Sequence, residues 1–211
     1  MSTGRAAPLS AEKLPSRTQA RGQARRREIL ATATSLFSTR GFHSVSLSDI
    51  SKEVGISQAG VLHYFPTKAD LLLEVLKLRE EKNFAARTDY VESGVHPLNA
   101  YVQSLLDNDE HPELVKLFVI LIAECAAPEH PGHEWFVERN ENLYQEMLVM
   151  MSDVIDEAKL PEGVSLETVT RWMVALPQGL GSKWIYDTQA FDRGRTFQLF
   201  VTMLRPYMKE S

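Results

Sequence analysis

The sequence predicts an all-α protein, in which a basic three-helix head joins through a linking helix to a larger acidic helical body. Three observations predict it. Apolar residues recur at a 3.6-residue period from about Gly22 to the C-terminal end. Capping residues, glycines and prolines punctuate that pattern at helix lengths. No segment shows the sustained apolar–polar alternation with hairpin turns that strands require, and no repeat of 20–50 residues is present.

Residues 1–20 mix Pro8, Pro15 and Gly4 with Ser and Thr, a composition that predicts a disordered lead-in. Ile29, Leu30, Ala33, Leu36 and Phe37 then form one apolar stripe of a helix that Gly41 ends. Ser46, with Asp49 three residues on, predicts the N-cap of a short helix carrying Leu47, Ile50 and Val54 inward. Gly55 breaks it, Ile56 plugs the turn, and Ser57 caps a third helix running to about Phe65. Pro66 stops that helix, and Thr67 with Asp70 starts a long fourth one through Leu71, Leu72, Val75 and Leu76. Further helices are expected at about 97–108, 112–126, 133–160, 165–188 and 192–208.

Charge is unevenly distributed. Of 211 residues, 23 are Lys or Arg and 28 Asp or Glu, for a net charge of -5. Residues 1–69 hold ten bases against four acids, a net of +6, and the remainder thirteen against twenty-four, or −11. A basic head on an acidic body suits a polyanionic partner, because phosphate neutralisation releases counterions. The longest apolar run, Leu117 to Ala123, is far short of the ~20 residues of a membrane span. The basic N-terminus has no continuous apolar core, so no secretory signal is expected. The single cysteine, Cys125, excludes an internal disulfide framework. A cytoplasmic protein with no membrane association is expected.

Leu47–Val54, the turn Gly55–Ile56–Ser57 and Gln58–Phe65 have the spacing of a helix-turn-helix, whose second helix enters the DNA major groove. Here the sequence resembles the TetR family of transcriptional repressors. The run Leu47-Ser-Asp-Ile50-Ser-Lys-Glu-Val54-Gly55-Ile56-Ser57, then Gln58-Ala-Gly-Val61-Leu-His-Tyr64-Phe65-Pro66-Thr67-Lys68-Ala-Asp-Leu71, carries the resemblance. Arg27-Glu-Ile29-Leu-Ala-Thr-Ala33, Leu36-Phe37 and Gly41-Phe42 extend it upstream, so it covers about residues 25–75. The domains implied are a lead-in at 1–20, a helix-turn-helix DNA-binding domain at 21–68, and a helical effector-binding and dimerisation domain at 69–211. Many members of the family have tyrosine where this chain has Leu62 and histidine where it has Tyr64. Leu62 cannot hydrogen-bond phosphate, so His63 or Tyr64 is expected to take that contact.

Gln58 is the expected base reader, since an amide pairs with adenine N6 and N7. Ser57, Ala59, Gly60, His63 and Tyr64 complete the outward edge, and Ser46 and Ser48 lie in reach of phosphate. Arg25 and Arg26, within the Arg21–Arg27 cluster, are expected to form an arm along phosphates or in a minor groove. Lys68, in the first turn of the fourth helix, is expected to grip phosphate, as the resemblance also implies.

In the body, the resemblance implies dimerisation through the last two helices, in register with a palindromic site. Leu180, Gly181, Trp184, Phe197, Phe200, Val201 and Leu204 are the expected interface, with Pro177 expected to kink the first of these helices. An effector pocket is expected from Phe118, Leu121, Glu124, Cys125, Trp135, Tyr144, Met147, Met151, Trp172 and Gln178, apolar material with a few polar anchors. Glu124 hints at a cationic or hydrogen-bonding ligand. Cys125, His130 and His133 are too loosely spaced for a metal site, and neither metal nor cofactor is expected. No nucleophile–base arrangement or phosphate loop stands out, so no enzyme is expected. The expected function is a homodimeric, ligand-released repressor binding double-stranded DNA. The alternatives are a constitutive DNA-binding module whose body docks a protein, and a small all-α enzyme.

Overall fold

A computed structural model describes residues 17–210. Residues 1–16 of the expected lead-in lie outside the described residues; from Arg17 onward the chain is helical, four residues earlier than expected at 17–20. The helices are α1 (Arg17–Arg40), α2 (Leu47–Val54), α3 (Gln58–Tyr64), α4 (Lys68–Glu92), α5 (Pro97–Asp109), α6 (Pro112–Glu124), α7 (His133–Val154), α8 (Leu166–Trp184) and α9 (Arg193–Met203). Among the described residues there is no strand, and no helix is long and apolar enough to cross a membrane.

Local chemistry sets the boundaries of the head. Gly41 and Gly55 take left-handed conformations, with φ of 75° and 71°, where a side chain would be strained. Ser46 and Asp49 form a reciprocal capping box at α2, and Thr67 and Asp70 form another at α4. Ser57 accepts the Gly60 N–H at 3.1 Å and so starts α3.

The expected helix 133–160 ends instead at Val154. There Ile155 turns extended and pairs antiparallel with Met208, while Lys209 N–H donates to the Val154 carbonyl and Asp156 N–H to that of Tyr207, both at 2.9 Å. The C-terminal tail thus satisfies backbone groups that a longer helix would have used. Leucine 204 likewise ends α9's helical run, and a 3₁₀ turn, Arg205–Tyr207, leads into that tail. Helix α8 continues through Pro177, whose ring is buried.

Two apolar cores hold the molecule. The first packs α1–α4 around Ile29, Phe37, Ile50, Val61, Phe65 and Leu72, and takes in Leu117, Phe118, Leu121, Cys125 and Phe136 of the body. The second joins α5, α7, α8 and α9 around Tyr101, Met147, Met151, Met173 and Phe197. The head therefore shares its core with α6 and the start of α7.

Candidate nucleic-acid interface and effector cavity

Helix α3 has one face anchored and one free. Val61 and Phe65 are buried in the head core, whereas Gln58, Ala59, Leu62 and His63 are exposed at i, i+4 spacings. Tyr64 is half-buried against the core, its ring 5.2 Å from that of His63. A Cβ at Gly60 would meet Ser57 Oγ and Ile56 Cδ1 at 3.4 and 3.5 Å, so internal packing leaves room for a side chain there. The hydroxyls of Ser46 and Ser57 accept backbone N–H groups in their caps. Ser48 is half-buried at the start of α2.

The cations behave differently from expectation. Arg25 and Arg26 belong to helix α1, not to an extended arm. Arg25 pairs with Glu28 at 2.8 Å and reaches the Val54 carbonyl, while Arg26 pairs with Glu74 of α4 and lies over the Phe65 ring. Arg21 and Arg27 are the exposed members of the cluster. Lys68 also turns inward. Its ammonium donates to the carbonyls of Phe42 and Val45, each at 2.9 Å, and sits 4.1 Å from the centre of the Phe42 ring. Burial pulls its pKa below the ordinary lysine value, opposed by the Glu124 charge. The ammonium thus clamps the α1–α2 turn with two of its three donors.

The same turn is held from the body. Glu124, the last residue of α6, accepts the Phe42 N–H at 3.1 Å, and a Cβ on Gly41 would stand 2.8 Å from its carboxylate. It is therefore a tie between body and head, not a pocket anchor. Cys125 beside it is buried, its Sγ 3.0 Å from His130 Nδ1, and burial pushes its thiol pKa up to about 12. His130 Nδ1 also accepts the Gly132 N–H, which places its proton on Nε2, and Nε2 is buried with no partner. His133 Nδ1 donates to the Cys125 carbonyl at 2.8 Å. Among the described residues no three such ligands are gathered as a metal would need.

A cavity does open in the body, with different walls from those expected. Of the expected pocket residues, only Phe118 and Gln178 line it. Trp135 lines an adjoining cleft of about 360 Å³ between α4 and α7. Leu121, Met147 and Met151 are core, Tyr144 lies under Arg171, and Trp172 is exposed on the outside of α8. Sequence reasoning missed the cavity's polar wall: Arg79 and Arg87 from α4, Tyr101 and Asn108 from α5, Arg139 from α7 and Arg193 from the start of α9. Arg139 Nε pairs with Glu80 at 2.9 Å, Arg193 with Asp109, and Arg87 with Glu146 at 3.7 Å. Arg79 has no ion pair among the described residues, and desolvation lowers its pKa to about 10. A groove of about 960 Å³ lies on the outer surface between α5, α9 and the tail.

On α8 and α9, the expected interface residues Gly181, Trp184, Phe197, Val201 and Leu204 are buried inside the chain's own fold. The reason is packing: Gly181 faces Val115 and Val119 of α6, and Phe197 meets the Tyr101 ring edge-on at 5.9 Å. Leu180 and Phe200 are half-buried, and Trp172, Leu199 and Met203 are the exposed large apolar side chains of these two helices.

Comparison with known proteins gives this arrangement a context. Residues 29–75 match the family model described as bacterial regulatory proteins, tetR family. The uncharacterized HTH-type transcriptional regulator YuxN of Bacillus subtilis is 36% identical over 77 residues, which are 36% of this chain and 26% of that protein. The chain thus spans about a quarter of that relative's length. The HTH-type transcriptional repressor KstR2 of Mycobacterium tuberculosis is 23% identical over 151 residues, 71% of this chain and 76% of that one. Among solved structures, a putative transcriptional regulator from Saccharomonospora viridis in complex with choline superposes with a TM-score of 0.69 at 20% identity, covering 90% of this chain and 100% of the other. KstR2 superposes at 0.66 and 20%, over 88% and 96%. Residues 29–75 thus match the tetR-family model, and the chain as a whole shares the fold of these solved structures.

Proposed function

We propose that the protein is a cytoplasmic repressor that binds a palindromic operator as a homodimer and leaves it when a small molecule enters the body. The observation that carries the DNA half is the outer edge of α3. Gln58, Ala59 and His63 are exposed, while Val61 and Phe65 fix the helix from behind. An exposed helix edge with an amide and an imidazole suits hydrogen-bonding to base edges in the major groove. Exposed Arg21, Arg27 and Lys52 supply positive charge for phosphate beside it.

Two copies would read two half-sites about one turn, ~34–36 Å, apart or a multiple of that. The exposed Trp172, Leu199 and Met203, with half-buried Leu180 and Phe200, give α8 and α9 an apolar outer face for the partner copy. The choline bound by the Saccharomonospora viridis regulator supports a small-molecule site in this fold, and the cavity beside Phe118 and Gln178 offers room for one here. Release is then a population shift, as large as the ligand's preference for the state that does not fit the operator.

The test is selection of bound duplexes from a random library with the full chain at physiological ionic strength. Enrichment of one palindromic sequence is expected, and recovery of unrelated sequences with no shared motif overturns the proposal.

A further inference from the structure

We propose that the body cavity takes a small carboxylate with an apolar body, its anionic end held by Arg79 and Arg139. This rests on the reading of that cavity as the effector site and adds the chemical class. The starting point is an imbalance of charge. Four arginines line the cavity and no acid does. Arg193 and Arg87 face acids of their own, Asp109 and Glu146. Arg139 gives its Nε to Glu80, but its Nη1 is buried with no hydrogen-bond partner. Arg79 is further out of balance. It has no ion pair among the described residues, and its buried Nε has no acceptor.

A buried guanidinium without an acceptor is unfavourable, and native proteins leave few such groups. With a pKa of about 10, Arg79 nonetheless keeps its charge at neutral pH. Both unsatisfied side chains converge on one ring, their guanidinium carbons 4.1 and 4.5 Å from the centre of Phe118. The two orphaned donors thus belong to side chains packed against one ring of the cavity wall. An anion there would accept from both and neutralise the charge that the protein itself leaves unbalanced.

The rest of the wall selects among anions. Val115, Val119, Ile122, Leu143 and Val174 are apolar and would leave a bare inorganic ion poorly matched. The free space is about 80 Å³, which excludes a nucleotide, and a ligand of more than a few heavy atoms would extend toward the adjoining cleft that shares Arg87, Arg139 and Leu143. A planar carboxylate on a short hydrocarbon fits the fork geometry of guanidinium and the apolar wall together.

The test uses thermal shift and calorimetric titration of the full chain with benzoate and hexanoate. Benzamide, hexanamide, hexylamine and inorganic phosphate serve as comparison probes. A carboxylate is expected to raise the melting temperature and to bind at least tenfold more tightly than its own amide, and the amine not to bind. Arg79→Gln is expected to weaken carboxylate binding about tenfold to a hundredfold. Arg79→Met, which removes an uncompensated charge, is expected to melt at or above the wild-type temperature without ligand. Amides equal to carboxylates, phosphate binding in preference to both, no carboxylate binding at millimolar concentration, or an Arg79→Met protein that melts well below wild type would each overturn the inference. Operator release is read separately. Carboxylates that bind without releasing DNA leave this assignment standing and sink the switch, whereas release by an amide or amine does the reverse.

Discussion

The carboxylate of Glu124 and the backbone N–H of Phe42 meet at 3.1 Å across 82 positions of sequence, joining the end of α6 to the turn that orients the helix-turn-helix. The bond is partly buried, so losing the acceptor leaves the amide of a tight turn without a partner. Glu124→Ala is expected to cost about 1–3 kcal/mol in chemical denaturation. It should also reduce the ratio of operator affinities measured with and without effector. An unchanged ratio would show that α6 communicates with the head by another route.

Lys68→Ala removes two charge-assisted hydrogen bonds and a contact with the Phe42 ring. Because the side chain is only partly buried, the expected loss is about 1 kcal/mol, seen as a lower unfolding midpoint. Operator affinity should fall for every sequence alike while the slope of log affinity against log salt stays the same. A slope smaller by about one charge would instead give the lysine a phosphate contact.

Gln58 is exposed and bears no structural load. Gln58→Ala should leave the melting temperature unchanged and relax discrimination at one base pair per half-site by about 1–3 kcal/mol. Competition binding with single-position operator variants reads this directly. A uniform loss over all positions would remove the residue from base readout.

His130 titrates against the fold. Burial, and then the neighbouring His43, lowers its pKa below the usual 6.5. The unfolded chain therefore takes up the proton first as pH falls, and stability decreases. The stabilisation is complete above about pH 6.5 and is lost as pH descends toward the lower value in the folded state. Unfolding midpoints between pH 7.5 and 5 should show this slope, and His130→Asn, which keeps an acceptor for Gly132 N–H, should flatten it.

Phe197 and Met203 separate core from interface. Phe197 is 1% exposed and Met203 72%. Phe197→Ala should cost about 3–5 kcal/mol at any protein concentration. Met203→Ser should change folding little and raise the dissociation constant of the dimer, read by sedimentation across a dilution series.

The head was legible in the sequence because its signals are local. Caps at Ser46, Ser57 and Thr67 and turns at Gly41 and Gly55 act within four residues of themselves, so each boundary followed from neighbouring side chains. The inward turn of Lys68 was not legible, because its partners are carbonyls 23 and 26 positions away that any residue type would supply. The end of α7 was missed for a similar reason: the tail at Met208 that takes over its backbone groups is remote in sequence. The arginines of the cavity did leave a trace. Arg79, Asn83 and Arg87 continue the buried stripe Leu72, Val75, Leu76 at helical spacing, and Arg139 falls between the buried Phe136 and Leu143. A base that interrupts an apolar stripe on the inner face of a helix is positioned to meet something other than water.

Phe118 has two allegiances. Its ring belongs to the apolar cluster that holds α1–α4 together, and it also forms part of the cavity wall, with two guanidinium groups packed against it. A guest that tilted this one ring would press on the same apolar cluster in which the head is seated.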